Sequence, residues 1–226
     1  MLLPRRAVLM SAAAAAVTST IPRSLLAAPP AALPSSDSAN RRFSLLYRSD
    51  TIGRHIVRSV PAVEGVRVST EVEMTVKRFF LTVFSYSHRS MESWRDGRLV
   101  ALDSETTEGG ETFRVAGAAV PTGFRVIGND GPFIAPSAAL TSNCLWNAAI
   151  LQQEIVIDAQ HGGVIGLSVR RLDDETLLIA GRPVAAVRFR FITPDLAGTI
   201  WYDDAGRWVG AELERHGAKL EYRLDT

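Results

Sequence analysis

The sequence predicts an all-β protein, a single domain built on a strongly curved antiparallel sheet or incomplete barrel of roughly a dozen strands with one short helix. Three observations lead there. From residue 43 onward the chain is a series of short alternating apolar and polar runs separated by Gly, Asp and Asn turns. One stretch, 79–107 (FFLTVFSYSHRSMESWRDGRLVALDSETT), reads as a long strand, a tight turn at Asp96-Gly97 and a returning strand. Only 136–153 lacks the alternation.

The chain has 226 residues, and its start has a different character. Arg5-Arg6 precedes an alanine-rich apolar run, Ala7 to Val17, and small residues with prolines follow from Ala27 to Pro34. This is the layout of a secretory signal over 1–32, with cleavage expected between Ala27 and Ala32. The paired arginines resemble a twin-arginine signal; an ordinary signal with two basic residues is the alternative. The apolar run is short of the ~20 residues that a membrane span needs. Residues 33–42 read as a polar linker, and 43–226 as the β-domain. The expected location is outside the cytoplasm, periplasmic or secreted.

The 25 basic residues include Arg5, Arg6 and Arg23 of the leader, whereas all 24 acidic residues lie beyond it. The domain is thus slightly acidic, which argues against binding to nucleic acid. With one cysteine, Cys144, neither an intramolecular disulfide nor a thiolate metal site can be built.

In order, 43–48 and 52–60 form a first hairpin around Ser49-Asp50-Thr51, with Gly53 just after the turn. The next strand sets Val66, Val68, Thr70, Val72, Met74 and Val76 on one face and Arg67, Ser69, Glu71, Glu73, Thr75 and Lys77 on the other. After the 79–107 hairpin the chain turns at Gly109-Gly110, returns over 112–116, and makes a further strand over 124–127. The segment 136–153 reads as a loop and a short helix at one end of the sheet, with Ser142 or Asn143 as N-cap. Strands resume at 154–157, 164–172, 176–180 and 183–193, and two hairpins over 198–225 close the chain.

Alternation on the strand that opens the 79–107 hairpin places Phe80, Thr82, Phe84, Tyr86, His88, Ser90, Glu92 and Trp94 on one face. Aromatic and polar groups together suit a lined cavity. Phe80, Phe84, Tyr86 and Trp94 would line it, and His88 and Glu92 would fix a polar head. The competing reading is a sheet face whose polar end reaches water.

Catalytic candidates are few: His88, Glu92 and Cys144. His88 and Glu92 are four residues apart, which on a strand is about 13 Å, too far to share one metal ion. Cys144 acting with His88 would need a lowered thiol pKa, and free cysteine is more often a buried core residue. His55, His161 and His216 have no ligand spacing and read as solvated. No nucleophile elbow, phosphate loop or dinucleotide fingerprint is present, and no motif asks for a cofactor or metal.

The residues Tyr86-x-His88-Arg89, Glu92-x-Trp94, Gly97-x-Leu99, Leu102-Asp103-Ser104-x-Thr106, Trp146-Asn147 and Trp201-Tyr202-Asp203 resemble a bacterial family of exported β-rich proteins of unknown function. More loosely, the meandering strands resemble the open half-barrels of periplasmic lipoprotein carriers. That second resemblance implies an apolar cavity inside a curved sheet. The first expectation is therefore a protein that binds or carries an apolar or amphipathic small molecule such as a lipid. An envelope assembly module ranks second, and an enzyme using His88 third.

Overall fold

The computed structural model describes residues 40–215 and 217–225. The expected leader, residues 33–39 of the expected linker, and His216 lie outside the described residues.

The first eight strands form a meander: β1 Arg41–Tyr47, β2 Asp50–Ala62, β3 Gly65–Arg78, β4 Leu81–Arg95, β5 Arg98–Glu108, β6 Glu111–Val120, β7 Gly123–Gly128 and β8 Gly131–Ala135. A compact segment follows, with β9 Leu140–Thr141, 3₁₀ turns at Cys144–Trp146 and Ala148–Gln152, β10 Ile155–Ile157 and β11 Val164–Gly166. The last six are β12 Ser168–Arg171, β13 Glu175–Ile179, β14 Arg182–Ile192, β15 Ala197–Asp203, β16 Trp208–Arg215 and β17 Ala218–Leu224.

One 14-stranded sheet runs β12-β14-β15-β16-β17-β1-β2-β3-β4-β5-β6-β7-β8, with β13 also on β14. Its pairings are antiparallel, as tight turns between successive strands require. The sheet stays open, with β8 at one end and β12 and β13 at the other. The last strand pairs with the first, Phe43 opposite Leu224, so the two ends of the chain join its halves into one domain.

Register shifts at Leu45/Leu46, Val76/Lys77, Ser93/Trp94 and Trp201/Tyr202 bend the strands, as bulges do. Gly53 lies opposite the first of these. A Cβ there would stand 1.9 Å from the Glu73 carbonyl oxygen, so the close approach of β2 to β3 requires glycine.

The outer face of β2–β6 is solvated and carries cross-strand ion pairs, Arg54–Glu73 (2.8 Å), Arg58–Glu71 (3.2 Å) and Arg114–Glu105 (2.7 Å). The inner face carries the core: Phe43, Val57, Val68, Trp94, Leu102, Val115 and Phe124 from one half, and Ile200, Tyr202, Trp208 and Tyr222 from the other. Leu140, Cys144, Trp146, Ile150, Val156 and Ile157 belong to the same cluster. The curved sheet is therefore filled by its own chain, the segment 136–167. Of it, residues 136–153 were expected at one end of the sheet.

Two other expectations change. The short helix is a pair of 3₁₀ turns, because Asn147 is extended (φ −111°, ψ 107°) and breaks the run. Asn147 then caps the second turn by accepting from the Ala149 N–H at 3.0 Å. His55, read as solvated, is buried. It stands opposite Phe43, with the rings of Trp208 and Tyr222 at 5.2 and 5.6 Å.

Candidate functional site

The inward half of β4 presents Tyr86, His88, Ser90, Glu92 and Trp94, with Arg89 and Met91 on the outside. The β2–β5 register sets these side chains in rows. Phe43, His55, Val72, His88 and Thr106 form one, and Ser59, Val68, Glu92 and Leu102 another.

Glu92 is fully buried and receives its partners from two directions. Trp94 Nε1 donates to Oε2 at 3.1 Å from the same strand. From the inner segment, Thr141 Oγ1 donates to Oε1 at 2.5 Å and the Cys144 thiol to Oε2 at 3.8 Å. Thr141 Oγ1 in turn accepts from the Asn143 N–H at 3.2 Å. Among the described residues, no lysine or arginine is among its partners. Burial therefore dominates over the three donors and raises the Glu92 pKa from its usual 4.5 to about 7.

Further polar bonds fix the inner segment to the sheet. Asn143 Nδ2 donates to Ser90 Oγ (2.8 Å), Ser104 Oγ to the Ala159 carbonyl (2.6 Å), and Tyr202 Oη to the Leu145 carbonyl (2.8 Å). Trp146 meets Trp94 edge-on at 5.5 Å. Glu92 and Trp94 thus hold the segment that fills the concavity.

His88 shares a 2.8 Å hydrogen bond with Thr106 through Nδ1, while Nε2 and both nitrogens of His55 are buried without hydrogen-bond partners among the described residues. Burial lowers His88 to about 4, and burial together with the neighbouring His88 lowers His55 to about 3. Both rings are neutral at physiological pH. Cys144 is fully buried, and burial first, then the Glu92 charge, pushes its thiol well above the usual range. A protonated thiol sealed from solvent is not a nucleophile. No cluster of three or more His, Cys, Asp or Glu able to hold a metal occurs among the described residues.

The structure brings Tyr86, His88, Glu92 and Trp94 together on the inner face and leaves Phe80 and Phe84 elsewhere. Phe80 is 101% exposed and Phe84 37%. The reason is strand length. β2 accompanies β3 only to Gly53 opposite Met74, and β5 accompanies β4 only to Glu108 opposite Tyr86. Beyond those points 75–85 pairs only with itself among the described residues, as a projecting two-stranded arm. Alternation put Phe80 on the side of His88, but the register shift between Val76 and Lys77 breaks that parity between Phe84 and Thr82, and Phe80 stands in the exposed turn. The partners Thr141 and Asn143 were missed, because they sit in a segment without periodicity. His55 was legible, since it alternates with Val57 on β2.

Two shallow surface clefts, of about 170 and 210 Å³, lie by Glu175 and Val187 and by Ile179 and Val209, away from β4. Both fall below the ~300 Å³ at which small-molecule sites begin.

The family profile described as "Domain of unknown function (DUF6134)" matches residues 43–225. A comparison with curated proteins finds no match. Among solved structures, the crystal structure of a beta-barrel-like protein of domain of unknown function DUF1849 from Brucella abortus is similar, with TM-score 0.59 and 9% identity over 83% of this chain and 96% of that one. At that identity the likeness concerns the fold alone.

Proposed function

The chain belongs to the DUF6134 family of unknown function, and on that premise we propose that it is an exported, non-catalytic binding module of the cell envelope that makes its contacts through the β3–β4 arm. One observation carries this reading. The arm holds Phe79, Phe80, Leu81 and Val83 in solvent, at 92, 101, 73 and 58% exposure, while the concave face is occupied by the chain's own segment. Each phenylalanine presents roughly 150–250 Å². Two of them with two aliphatic neighbours reach the size of patch that marks an interaction site on a monomer.

The test is photo-crosslinking in the intact cell with a benzophenone side chain at Phe80, and at Met91 on the outer sheet face as control. Adducts at Phe80 that are weaker or absent at Met91 are expected. Equal labelling at both positions, or none at Phe80, overturns the arm as the contact.

The carrier reading keeps one observation in its favour. Ser59 Oγ, Thr70 Oγ1, His88 Nε2 and both His55 nitrogens are buried on the inner face without hydrogen-bond partners among the described residues. Apolar sites with a few polar groups are how small amphipathic molecules are held. Cargo there requires the 136–167 segment to lift. Native mass spectrometry of the exported protein, followed by solvent extraction, decides it. A stoichiometric apolar molecule, lost in the Tyr86→Ala, Trp94→Ala double variant, supports carriage, and a bare protein mass rejects it.

A further inference from the structure

Resting on the arm as the contact element, we propose that its partner is a lipid bilayer surface, with the aromatic turn entering the headgroup region and Lys77 behind it meeting anionic phosphates. Four observations converge.

The first is that the tip of the arm is apolar and exposed. Phe79 and Phe80 make the turn and Leu81, Val83 and Phe84 follow it on β4, and all five are exposed. A bilayer surrounds whatever enters it and favours apolar groups on every side.

The second is charge. The arm 75–85 contains Lys77 and Arg78 and no acidic residue. Lys77, exposed and opposite Thr82, sits behind the Phe79-Phe80 turn, where phosphates lie when aromatic residues enter first.

The third is reach. Three to four residues at ~3.3 Å each carry the turn about 10–13 Å beyond the neighbouring strands. Interfacial elements bury to about 5–10 Å.

The fourth is the turn itself. Phe79 has φ +56°, a conformation that suits glycine or asparagine and not an aromatic residue. The β4–β5 turn uses Asp96-Gly97 and the β5–β6 turn Gly109-Gly110, where positive φ is easily accommodated. At the arm, two phenylalanines stand in the turn despite the local cost. An apolar tip with two basic residues gives reversible, peripheral attachment rather than a permanent anchor.

The experiment is vesicle flotation of the purified exported protein, using phosphatidylethanolamine vesicles containing phosphatidylglycerol and, separately, phosphatidylcholine alone. The wild type is expected to float with the anionic vesicles and less with the neutral ones. Phe79→Ser with Phe80→Ser, which touches no core contact, should lower partitioning at least tenfold. Lys77→Glu should lower it at least about fivefold on anionic vesicles only. In Phe80→Trp, brominated lipid should quench added fluorescence.

Failure to float with either vesicle, or equal flotation of the serine variant, overturns the proposal. So does a concentration-dependent dimer that disappears in that variant, since the arm then serves a second copy. The adduct at Phe80 separates the two readings. A protein adduct without vesicle binding leaves the arm as the contact and removes the bilayer, whereas no adduct removes both.

Discussion

Glu92 has three donors, no counter-ion and no solvent. Because its folded pKa is raised, its contribution to stability is present below pH 4.5 and is lost as pH rises through about 7. The loss is on the order of 3 kcal/mol. Glu92→Gln should abolish it, flattening urea-unfolding stability between pH 5 and 8. Thr141 can rotate its hydroxyl to accept from the new amide, so the fold should survive. Glu92→Leu instead strands the Trp94 and Thr141 donors and should cost about 1–3 kcal/mol. Cys144 lies in the same cluster, and its thiol should resist iodoacetamide at neutral pH until the protein unfolds. Rapid labelling of the native protein would return Cys144 to the list of reactive groups.

At the scale of elements, the inner segment is held both by polar bonds and by contact with β7. Gly162 Cα would lie 2.4 Å from a Cβ added at Gly128, Gly162 itself has φ +86°, and the Asn129 N–H donates to the His161 carbonyl at 3.1 Å. Gly162→Ala is therefore strained both by conformation and by space, and should cost about 1–3 kcal/mol. Gly163, one residue on, has open space at its Cβ and no positive φ. Gly163→Ala should stay within about 0.5 kcal/mol. Chemical denaturation of the two variants checks this, and equal effects would mean that the segment is not wedged against β7. The arm shows the converse: where β2 and β5 stop, two strands continue with no layer against them.

For the whole molecule, titration sets a window of stability. His88 and His55 have folded pKa values lowered to about 4 and about 3. Their contribution is present above pH 6.5 and is lost as pH falls through those values. Glu92 acts in the opposite sense, so the thermal midpoint should pass through a maximum near pH 6.5 and fall as pH drops from there towards about 3. His88→Gln should soften the acid limb, and a pH series of thermal melts reads both effects. An unchanged acid limb would place the cause in the exposed ion pairs, each worth only about 0–1 kcal/mol. The pairing of β17 with β1 makes residues near the two ends of the domain part of one core, Phe43 beside Trp208 and Tyr222. Opening should therefore be cooperative across both halves.

Strand parity was legible in the sequence because it follows from local backbone geometry. Alternation alone placed Tyr86, His88, Glu92 and Trp94 on one side of β4, and the Gly and Asp turns set the hairpin order. Parity says which side a residue faces but not what lies there. That depends on where neighbouring strands end and on which distant segment fills the bend. Alternation gave Phe80 and His88 one side, yet a register shift intervenes in the arm, and Phe80 stands in water at the turn while His88 is sealed against Thr106. The segment 136–167 shows no period, since 3₁₀ turns and two- to three-residue strands are too short to repeat. Its place inside the sheet rests on contacts such as Thr141 to Glu92 and Tyr202 to Leu145, which join residues far apart in the chain. The sequence by itself determined the strands, their turns and their faces; only the tertiary structure decided that the inner face is filled and the arm exposed, because burial is a property of the whole curved sheet and not of any one strand.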